Sequence, residues 1–191
     1  MPSFSSLGPS QLKKIANQRF SHLVIAEIGR ARERIAELQR TYPSAKPKEL
    51  AQRLTDSKKA IASTSGAVSG LFGLFSVPLD LVLVAYLQLS LIVDIAVLHK
   101  ANLKSARAQQ ELLDVLGYAN GAGPLVRASP RVFGKLAMTL LQRGGLPRLG
   151  RAVPVIASPL TAWLNNRALA RAGREAMLFY GHRRAEKGRG K

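Results

Sequence analysis

The sequence predicts an all-α protein with a single helical domain, and three observations lead to this fold class. Apolar residues recur at three- and four-residue spacing, no segment alternates convincingly at period two, and prolines and glycines stand where helices begin and end. The 191 residues, 47% of them hydrophobic, are enough for one sizeable core. We expect residues 1–9 to form a flexible N-terminus, residues 10–181 the helical domain and residues 182–191 a basic C-terminal tail.

The first predicted element is a long amphipathic helix from about residue 10 to residue 40. Ser10 can cap its start. Its apolar stripe consists of Phe20, Val24, Ile28, Ala31, Ile35 and Leu38. Two prolines then interrupt the helix, and Pro47 suits the first position of a second, short helix. The residues that this second helix should bury are Leu50, Leu54 and Ile61.

The next stretch is nearly free of charge, although the whole chain carries a formal net charge of +18. The 34 residues before Asp94 contain one charged residue, Asp80. Such a stretch must be hidden either in a helical core or in a bilayer. It divides at Pro78 into a glycine-rich half and a half rich in Leu, Val and Ile, which predicts a buried hairpin of two helices. The alternative is an integral membrane hairpin that spans the bilayer at residues 60–79 and 80–98.

Small and polar residues in this stretch have individual interpretations. The predicted helix-packing residues, which stand at four-residue intervals and let another helix approach closely, are Ala62, Gly66 and Gly70. Asp80 is interpreted as an N-terminal cap of the second buried helix. Gln88 and Asp94 are interpreted as polar groups inside the fold, and they favour a protein core over lipid, as does the mean hydropathy of +0.02. Asp80 and Asp94 are nearly four turns, about 20 Å, apart, which excludes a catalytic pair.

Three further helices are predicted after the neutral stretch. A surface helix begins at Ala106 and ends at Gly117, and a short helix over residues 132–142 follows a loop rich in glycine and proline. The last helix opens with Ser158 as N-cap and Pro159 as its first residue, and it continues to about residue 180.

The last helix carries a stripe of arginines opposite its apolar side. A stripe of this kind is often only a solvated face, but a polybasic tail follows it, and that combination is typical of proteins that dock on anionic membranes. The residues assigned to anionic surface binding are Arg167, Arg171, Arg174, Arg183, Arg184 and Lys187. Nucleic acid is a less favoured partner, because only 6% of the residues are aromatic and no nucleic-acid-binding motif occurs.

No catalytic constellation is found in the sequence, so we expect a protein that is not an enzyme and that uses no metal or cofactor. The three histidines, His22, His99 and His182, lack metal-ligand spacing. Neither the Gly-x-Ser-x-Gly motif nor the phosphate-binding Gly-x-x-x-x-Gly-Lys-Ser/Thr motif occurs. The chain has no cysteine, which excludes a disulfide framework. The first residues lack the features of a secretory signal, which favours a cytoplasmic location.

Several segments together resemble the EcsC family of bacterial proteins. They are Tyr42-Pro43-Ser44-Ala45-Lys46-Pro47, Gly66-Ala67-Val68-Ser69-Gly70-Leu71, Pro78-Leu79-Asp80, Gln88-Leu89-Ser90-Leu91-Ile92 and Val153-Pro154-Val155-Ile156. The resemblance covers roughly residues 40–180 and departs at His99-Lys100, where the family tends to have Tyr-Gly. The resemblance implies a helical, membrane-connected bacterial protein. The family's namesake is associated with an ABC-transporter operon. The resemblance implies no active site.

The predicted function is that of a non-enzymatic helical protein at the cytoplasmic face of the bacterial inner membrane. It would associate peripherally, as an accessory to a transport or envelope process, with anionic lipid or a membrane protein as its partner. The alternatives are the integral membrane hairpin, a nucleic-acid-binding protein and an enzyme whose site escapes sequence reasoning. No small-molecule substrate is inferred.

Overall fold

The computed structural model describes residues 9–71, 77–121, 123 and 154–189, and side chains over residues 18–63, 83–121, 123 and 163–183. The described residues form helices and the segments between them, which confirms the all-α fold. The helices are α1 (Pro9–Thr41), α2 (Pro47–Leu71), α3 (Val77–Leu98), α4 (Ala106–Ala119) and α5 (Pro154–Arg189). The helix predicted over residues 132–142 lies outside the described residues.

The long N-terminal helix α1 agrees with the prediction. It begins at Pro9, so that Ser10 lies inside the helix and not at the capping position before it. The predicted apolar stripe faces the core, where Val24 and Ala31 are fully buried and Phe20 and Leu38 are partly buried at its edges. Because these residues recur with the helical period, one side of α1 packs while the other stays in water.

Helix α2 begins at Pro47 as predicted, but it is longer than expected. It continues for 25 residues through the glycine-rich segment to Leu71, where the sequence had indicated a short helix followed by another element. Leu50 and Leu54 are buried, whereas Ile61 is 49% exposed, so its predicted burial is wrong. The buried side of α2 contains Leu50, Ala51, Leu54, Thr55, Lys58 and Ala62. Since neighbouring residues are 100° apart on a helix, the burial of Ala62 turns Ile61 outward.

Helix α3 provides the most buried part of the described core. It begins at Val77, which places Asp80 in the first turn of the helix and not at the capping position before it. The side chain of Asp80 lies outside the described residues. Gln88 and Asp94 are fully buried, as the sequence predicts, and so is Ser90.

The end of α3 reverses the chain at Lys100, whose φ of 58° lies in the left-handed region. The N–H of Lys100 donates to the carbonyl of Val97, and the N–H of Ala101 donates to the carbonyl of Ala96, both at 2.9 Å. These two bonds form a Schellman motif, which satisfies the last carbonyls of a helix and usually places glycine in the left-handed position. Lysine is strained there by roughly 1 kcal/mol because its Cβ crowds the backbone.

Helix α4 has a defined cap at each end. The hydroxyl of Ser105 accepts a hydrogen bond from the N–H of Ala108 at 3.2 Å, which fixes the start of the helix. The helix passes through Gly117, its predicted end, and stops at Ala119. The side chain of Asn120 then donates to the carbonyl of Leu116 at 2.8 Å. The apolar side of α4 is buried as predicted, with Leu112, Leu113 and Leu116 in the core.

Helix α5 is longer than the sequence indicates at both ends. It begins at Pro154, so Ser158 lies inside the helix and its predicted role as N-cap is wrong. The earlier proline provides the first helical position, because a proline there removes no intrahelical hydrogen bond. At the other end the helix continues through Gly181 to Arg189.

The helices pack around α3, which contacts α1, α2, α4 and α5. The most extensive contact joins α2 and α5. At their crossing, a Cβ on Gly173 would lie 2.6 Å from Oγ1 of Thr55, so only glycine permits this approach. In the described parts of the chain, no helix combines the length and the apolar character needed to cross a membrane.

Candidate functional site

A network of charged and polar side chains joins α1, α2 and α3 inside the core. At its centre is the carboxylate of Glu27, which is fully buried and accepts four hydrogen bonds. Tyr86 and Arg30 donate to Oε2 at 2.8 and 3.0 Å. Ser90 and Arg34 donate to Oε1, each at 2.6 Å. Because each carboxylate oxygen accepts two hydrogen bonds, the carboxylate can be buried as an ion.

The second carboxylate of the network is Asp94, which faces the same arginine and a lysine from α2. Arg34 donates to Oδ1 from Nε at 3.1 Å and from Nη2 at 2.5 Å. The Nζ atom of Lys58 lies 3.4 Å from Oδ2 and also donates to Oγ of Ser90 at 2.6 Å. Two buried carboxylates therefore share one arginine, and a lysine and a serine complete the connection between them. We call Glu27, Arg34, Lys58, Ser90 and Asp94 the ion network.

The ion network shifts the pKa values of its members in different directions. Burial by itself would raise the pKa of Glu27, but the hydrogen bonds from its four donors, Ser90 foremost, outweigh burial and lower this pKa to about 2. Burial raises the pKa of Asp94, although Arg34 and Lys58 act in the opposite direction. Burial also lowers the pKa of Lys58, against the attraction of Asp94. Charge is thus well stabilised at Glu27, whereas burial opposes it at the pair of Lys58 and Asp94.

The contact between Lys58 and Ser90 has the spacing of a lysine-activated serine nucleophile. The surroundings argue against that use in this arrangement. Ser90 is 1% exposed and Lys58 is 6% exposed, so a substrate cannot reach Oγ. The hydroxyl of Ser90 also donates to Glu27 while Lys58 donates to it, so Lys58 is not placed as a base. What the ion network does in this geometry is hold three helices in one relative position.

Sequence reasoning identified Asp94 but missed Glu27, Arg34 and Lys58 as parts of a site. Each of the three stands three or four residues from a buried apolar residue on its own helix, and therefore faces the core. A charged residue at such a position is the signal that the sequence contained. Which charges meet depends on how α1, α2 and α3 pack, and periodicity within one helix does not give that information.

A second candidate site is the exposed side of α5, here called the α5 face. It consists of Trp163, Arg167, Arg171, Arg174 and Leu178, which fall within about 80° of the helix circumference. Trp163 and Leu178 are 54% and 57% exposed. The guanidinium of Arg167 lies 5.2 Å from the centroid of the Trp163 ring, a cation–π distance. The predicted arginine stripe therefore has a large exposed apolar side chain at each end, which the sequence analysis did not identify.

The side of α5 opposite the α5 face packs in the core as predicted. Its buried residues are Leu169, Ala172, Gly173, Ala176, Tyr180 and the polar Asn165. The helix therefore has one packed side and one side that carries both cations and exposed apolar groups.

The three remaining residues assigned to anionic surface binding lie beyond the α5 face. Arg183 forms an ion pair with Glu111 of α4 and lies over the ring of Phe179, 5.8 Å from its centroid. Its charge is thus engaged in the contact between α4 and α5, while its side chain stays 43% exposed. The side chains of Arg184 and Lys187 lie outside the described residues.

Other residues singled out by the sequence have structural surroundings. Ala62 is fully buried, in agreement with a helix-packing role. Gly66 and Gly70 belong to α2, but their surroundings are not among the described features, so their predicted packing role stays a prediction. Gln88 accepts a hydrogen bond from Nδ2 of Asn120 at 2.7 Å, which joins α3 to the end of α4.

Among the described side chains, no group of three or more His, Cys, Asp or Glu residues could hold a metal ion. His22 and His182 are exposed, and His99 is half-buried at the end of α3.

Comparison with protein-family models, curated proteins and solved structures finds no match for this chain. Membership of the EcsC family stays a prediction from the motifs in the sequence.

Proposed function

We propose that this protein docks on the anionic surface of a membrane through the α5 face. The observation that carries the proposal is the presence of three arginines and two exposed apolar side chains, Trp163 and Leu178, on one side of a helix. Arginine binds phosphate in a bidentate manner and is attracted to anionic headgroups. Tryptophan favours the boundary between lipid and water, where its ring is buried and its N–H stays hydrated.

The packing of α5 favours a helix that lies on the surface of the bilayer. Within the described side chains of α5, the buried side is part of the protein core, so the α5 face is the side that can meet lipid. Among the described side chains of this helix there is one acidic residue, Glu175. It lies beside the α5 face and is only half exposed. An amphipathic helix in this position takes its affinity from apolar burial and from attraction to anionic lipids together.

The biological setting that we propose is the cytoplasmic face of the bacterial inner membrane. There the protein would act without catalysis, as an accessory to a transport or envelope process, and the resemblance to the EcsC family supports this setting. Membrane fractionation tests the mode of attachment. A high-salt wash should release the untagged protein, because salt screens headgroup attraction. Retention through both high-salt and carbonate washes would instead favour the integral hairpin.

Trp163 is the single tryptophan of the chain, so its fluorescence reports directly on the α5 face. Mixing the protein with vesicles of phosphatidylcholine and phosphatidylglycerol should shift the emission to shorter wavelength and protect it from a water-soluble quencher. Vesicles of phosphatidylcholine alone should do neither. An emission unchanged by anionic vesicles, with the protein nonetheless bound in sedimentation, would mean that another surface docks.

Matched variants separate the α5 face from general positive charge. Replacing Arg167, Arg171 and Arg174 together with glutamine should weaken binding to anionic vesicles by about a hundredfold, since each cation near the surface contributes about 1 kcal/mol. The control variant removes the same charge from exposed positions elsewhere: Arg40→Gln, Lys46→Gln and Lys48→Gln. Equal losses in the two triple variants would contradict the proposal. Tighter binding to a DNA duplex than to anionic vesicles would favour the nucleic-acid alternative.

A further inference from the structure

A groove on another part of the surface also collects positive charge. It lies between α1 and the connection from α3 to α4, and its volume is about 500 Å³. The cations that line it are Arg32, Lys100 and Lys104, and its apolar wall includes Ile28, Val97 and Leu103. Its lining contains no acidic residue. Cavities of this size are typical of small-ligand sites.

The three cations of the groove are available to a ligand. Arg34, Lys58 and Lys59 each form an ion pair with a carboxylate, but among the described side chains no carboxylate lies within ion-pair distance of Arg32, Lys100 or Lys104. All three are exposed. Three cations without a counter-charge around one concave surface are complementary to an anion with more than one negative charge.

The position of Lys100 is the second observation. This residue occupies the left-handed position of the Schellman motif with φ 58°, where glycine would be free of strain. After the backbone reversal at the same point, the segment from Lys100 to Lys104 lines the same groove as Arg32. Lys100 therefore adds a charge to the groove from a backbone position in which glycine would be less strained.

We propose that this groove binds the phosphate group of a small phosphorylated molecule, with the carbon part of the ligand against Ile28, Val97 and Leu103. A phosphate monoester carries close to two negative charges at neutral pH and three acceptor oxygens, which suits one guanidinium and two ammonium groups. A carboxylate, with one charge, would leave two of the three cations without a counter-charge. The groove is formed by α1, α3 and the segment after α3, so it is a different surface from the α5 face.

The probe for this site is inorganic pyrophosphate, with sodium sulfate at equal ionic strength as the reference for nonspecific charge. Calorimetric titration of the full chain with pyrophosphate should show one saturable site. Amide chemical shifts in NMR should change around Arg32 and from Lys100 to Lys104. Shifts confined to other residues, or no saturable binding beyond that of sulfate, would overturn the proposal.

Lys100→Gly provides a sharp test because it should change stability and binding in opposite directions. Removing the strain should raise the melting temperature by about 2–4 °C. Removing the charge should weaken pyrophosphate binding by about tenfold. Partial unfolding cannot explain weaker binding in a variant whose melting temperature has risen. Lys104→Gln should weaken binding similarly, and Lys48→Gln, at an exposed position on another helix, should not. Unchanged binding in both groove variants would overturn the proposal.

Vesicles and DNA distinguish the possible sources of the phosphate. The variant with three substitutions on the α5 face should keep pyrophosphate binding, so the failure of one proposal leaves the other testable. If Lys100→Gly reduces binding to phosphatidylglycerol vesicles as much as the α5 triple variant does, the groove serves lipid headgroups and the small-ligand proposal is wrong. A DNA duplex is the competing ligand. If it displaces bound pyrophosphate at a lower total phosphate concentration than the one at which pyrophosphate half-saturates the site, a nucleic acid is the ligand and the proposal is again wrong.

Discussion

Arg34 of α1 donates two hydrogen bonds to one oxygen of Asp94 on α3, at 3.1 and 2.5 Å. The two residues are 60 positions apart in the sequence, and the same Nη2 atom also donates to Glu27. Because α1 packs chiefly against α3, this ion pair lies in the contact that attaches the N-terminal helix to the rest of the described fold. The charges are therefore well placed to determine which way α1 faces.

Replacing Asp94 with asparagine should lower the free energy of unfolding by about 3 kcal/mol, because Arg34 and Lys58 would keep their charges in the core without this carboxylate. Urea unfolding followed by circular dichroism measures the loss. Arg40→Gln is the control, since Arg40 pairs with Glu37 while both side chains are exposed, and it should change stability little. Equal effects of the two substitutions would show that burial of the Arg34–Asp94 pair does not increase its contribution to the free energy of unfolding.

Glu27 should make stability depend on pH in the acid range. Its pKa is lowered from 4.5 to about 2 in the folded protein, so its contribution is complete above pH 4.5 and is lost as the pH falls to about 2. The shift corresponds to about 3 kcal/mol. The stability difference between wild type and Glu27→Gln should therefore shrink across this window. The raised pKa of Asp94 makes stability depend on pH in the opposite direction. Because Asp94 is present in both proteins, its contribution largely cancels from the stability difference. A difference that stays constant as the pH falls would contradict this prediction.

Gly173→Ala should destabilise the protein by about 1–3 kcal/mol, although alanine is the better helix former, because the new Cβ would meet Thr55. In a Thr55→Ala background the same substitution should cost much less, since Oγ1 is gone. Gly29→Ala is the control: nothing lies within 4 Å of its Cβ, and it should stabilise by up to about 1 kcal/mol. Thermal and urea unfolding of the four variants measure the coupling. Additive effects of the substitutions at positions 55 and 173 would exclude a direct contact.

The orientation of α2 can be checked with two substitutions of hydrophobic residues. Ile61→Gln should change the free energy of unfolding by less than about 0.5 kcal/mol, because Ile61 is on the exposed side. Leu54→Ala should cost about 2–5 kcal/mol, because it leaves a cavity in the core. A larger loss at position 61 than at position 54 would restore the burial of Ile61 that the sequence predicts.

The positions of the helices followed largely from the sequence. The apolar period of α1 and the proline that opens α2 are local features. They predicted the bounds of α1 closely and the start of α2, but not the length of α2. Local features were less reliable at helix ends. Glycine is typical of the end of a helix and serine of the position before its start, yet Gly117 and Ser158 both lie inside helices. Gly117 is buried, so its place in the core compensates for its low helix propensity.

The ion network and the two exposed surfaces depended on tertiary structure. Glu27 finds its partner Ser90 63 positions away, and Lys58 finds the same serine from a third helix. Sequence periodicity shows which side of a helix faces inward, but it does not show which side chains from other helices lie opposite. For the same reason the sequence grouped Arg183 with the arginines of α5, whereas the packing of α4 against α5 pairs it with Glu111.

The sequence by itself determined that the chain is helical, where most of its helices lie, and that Gln88 and Asp94 are enclosed in the fold. These properties depend on residues a few positions apart, which the helical repeat brings to one side. Only the tertiary structure decided which charges are neutralised in the core and which stay exposed on α5 and in the groove at Lys100. Ion pairing requires distances of a few ångströms between distant parts of the chain, and the packing of whole helices sets those distances.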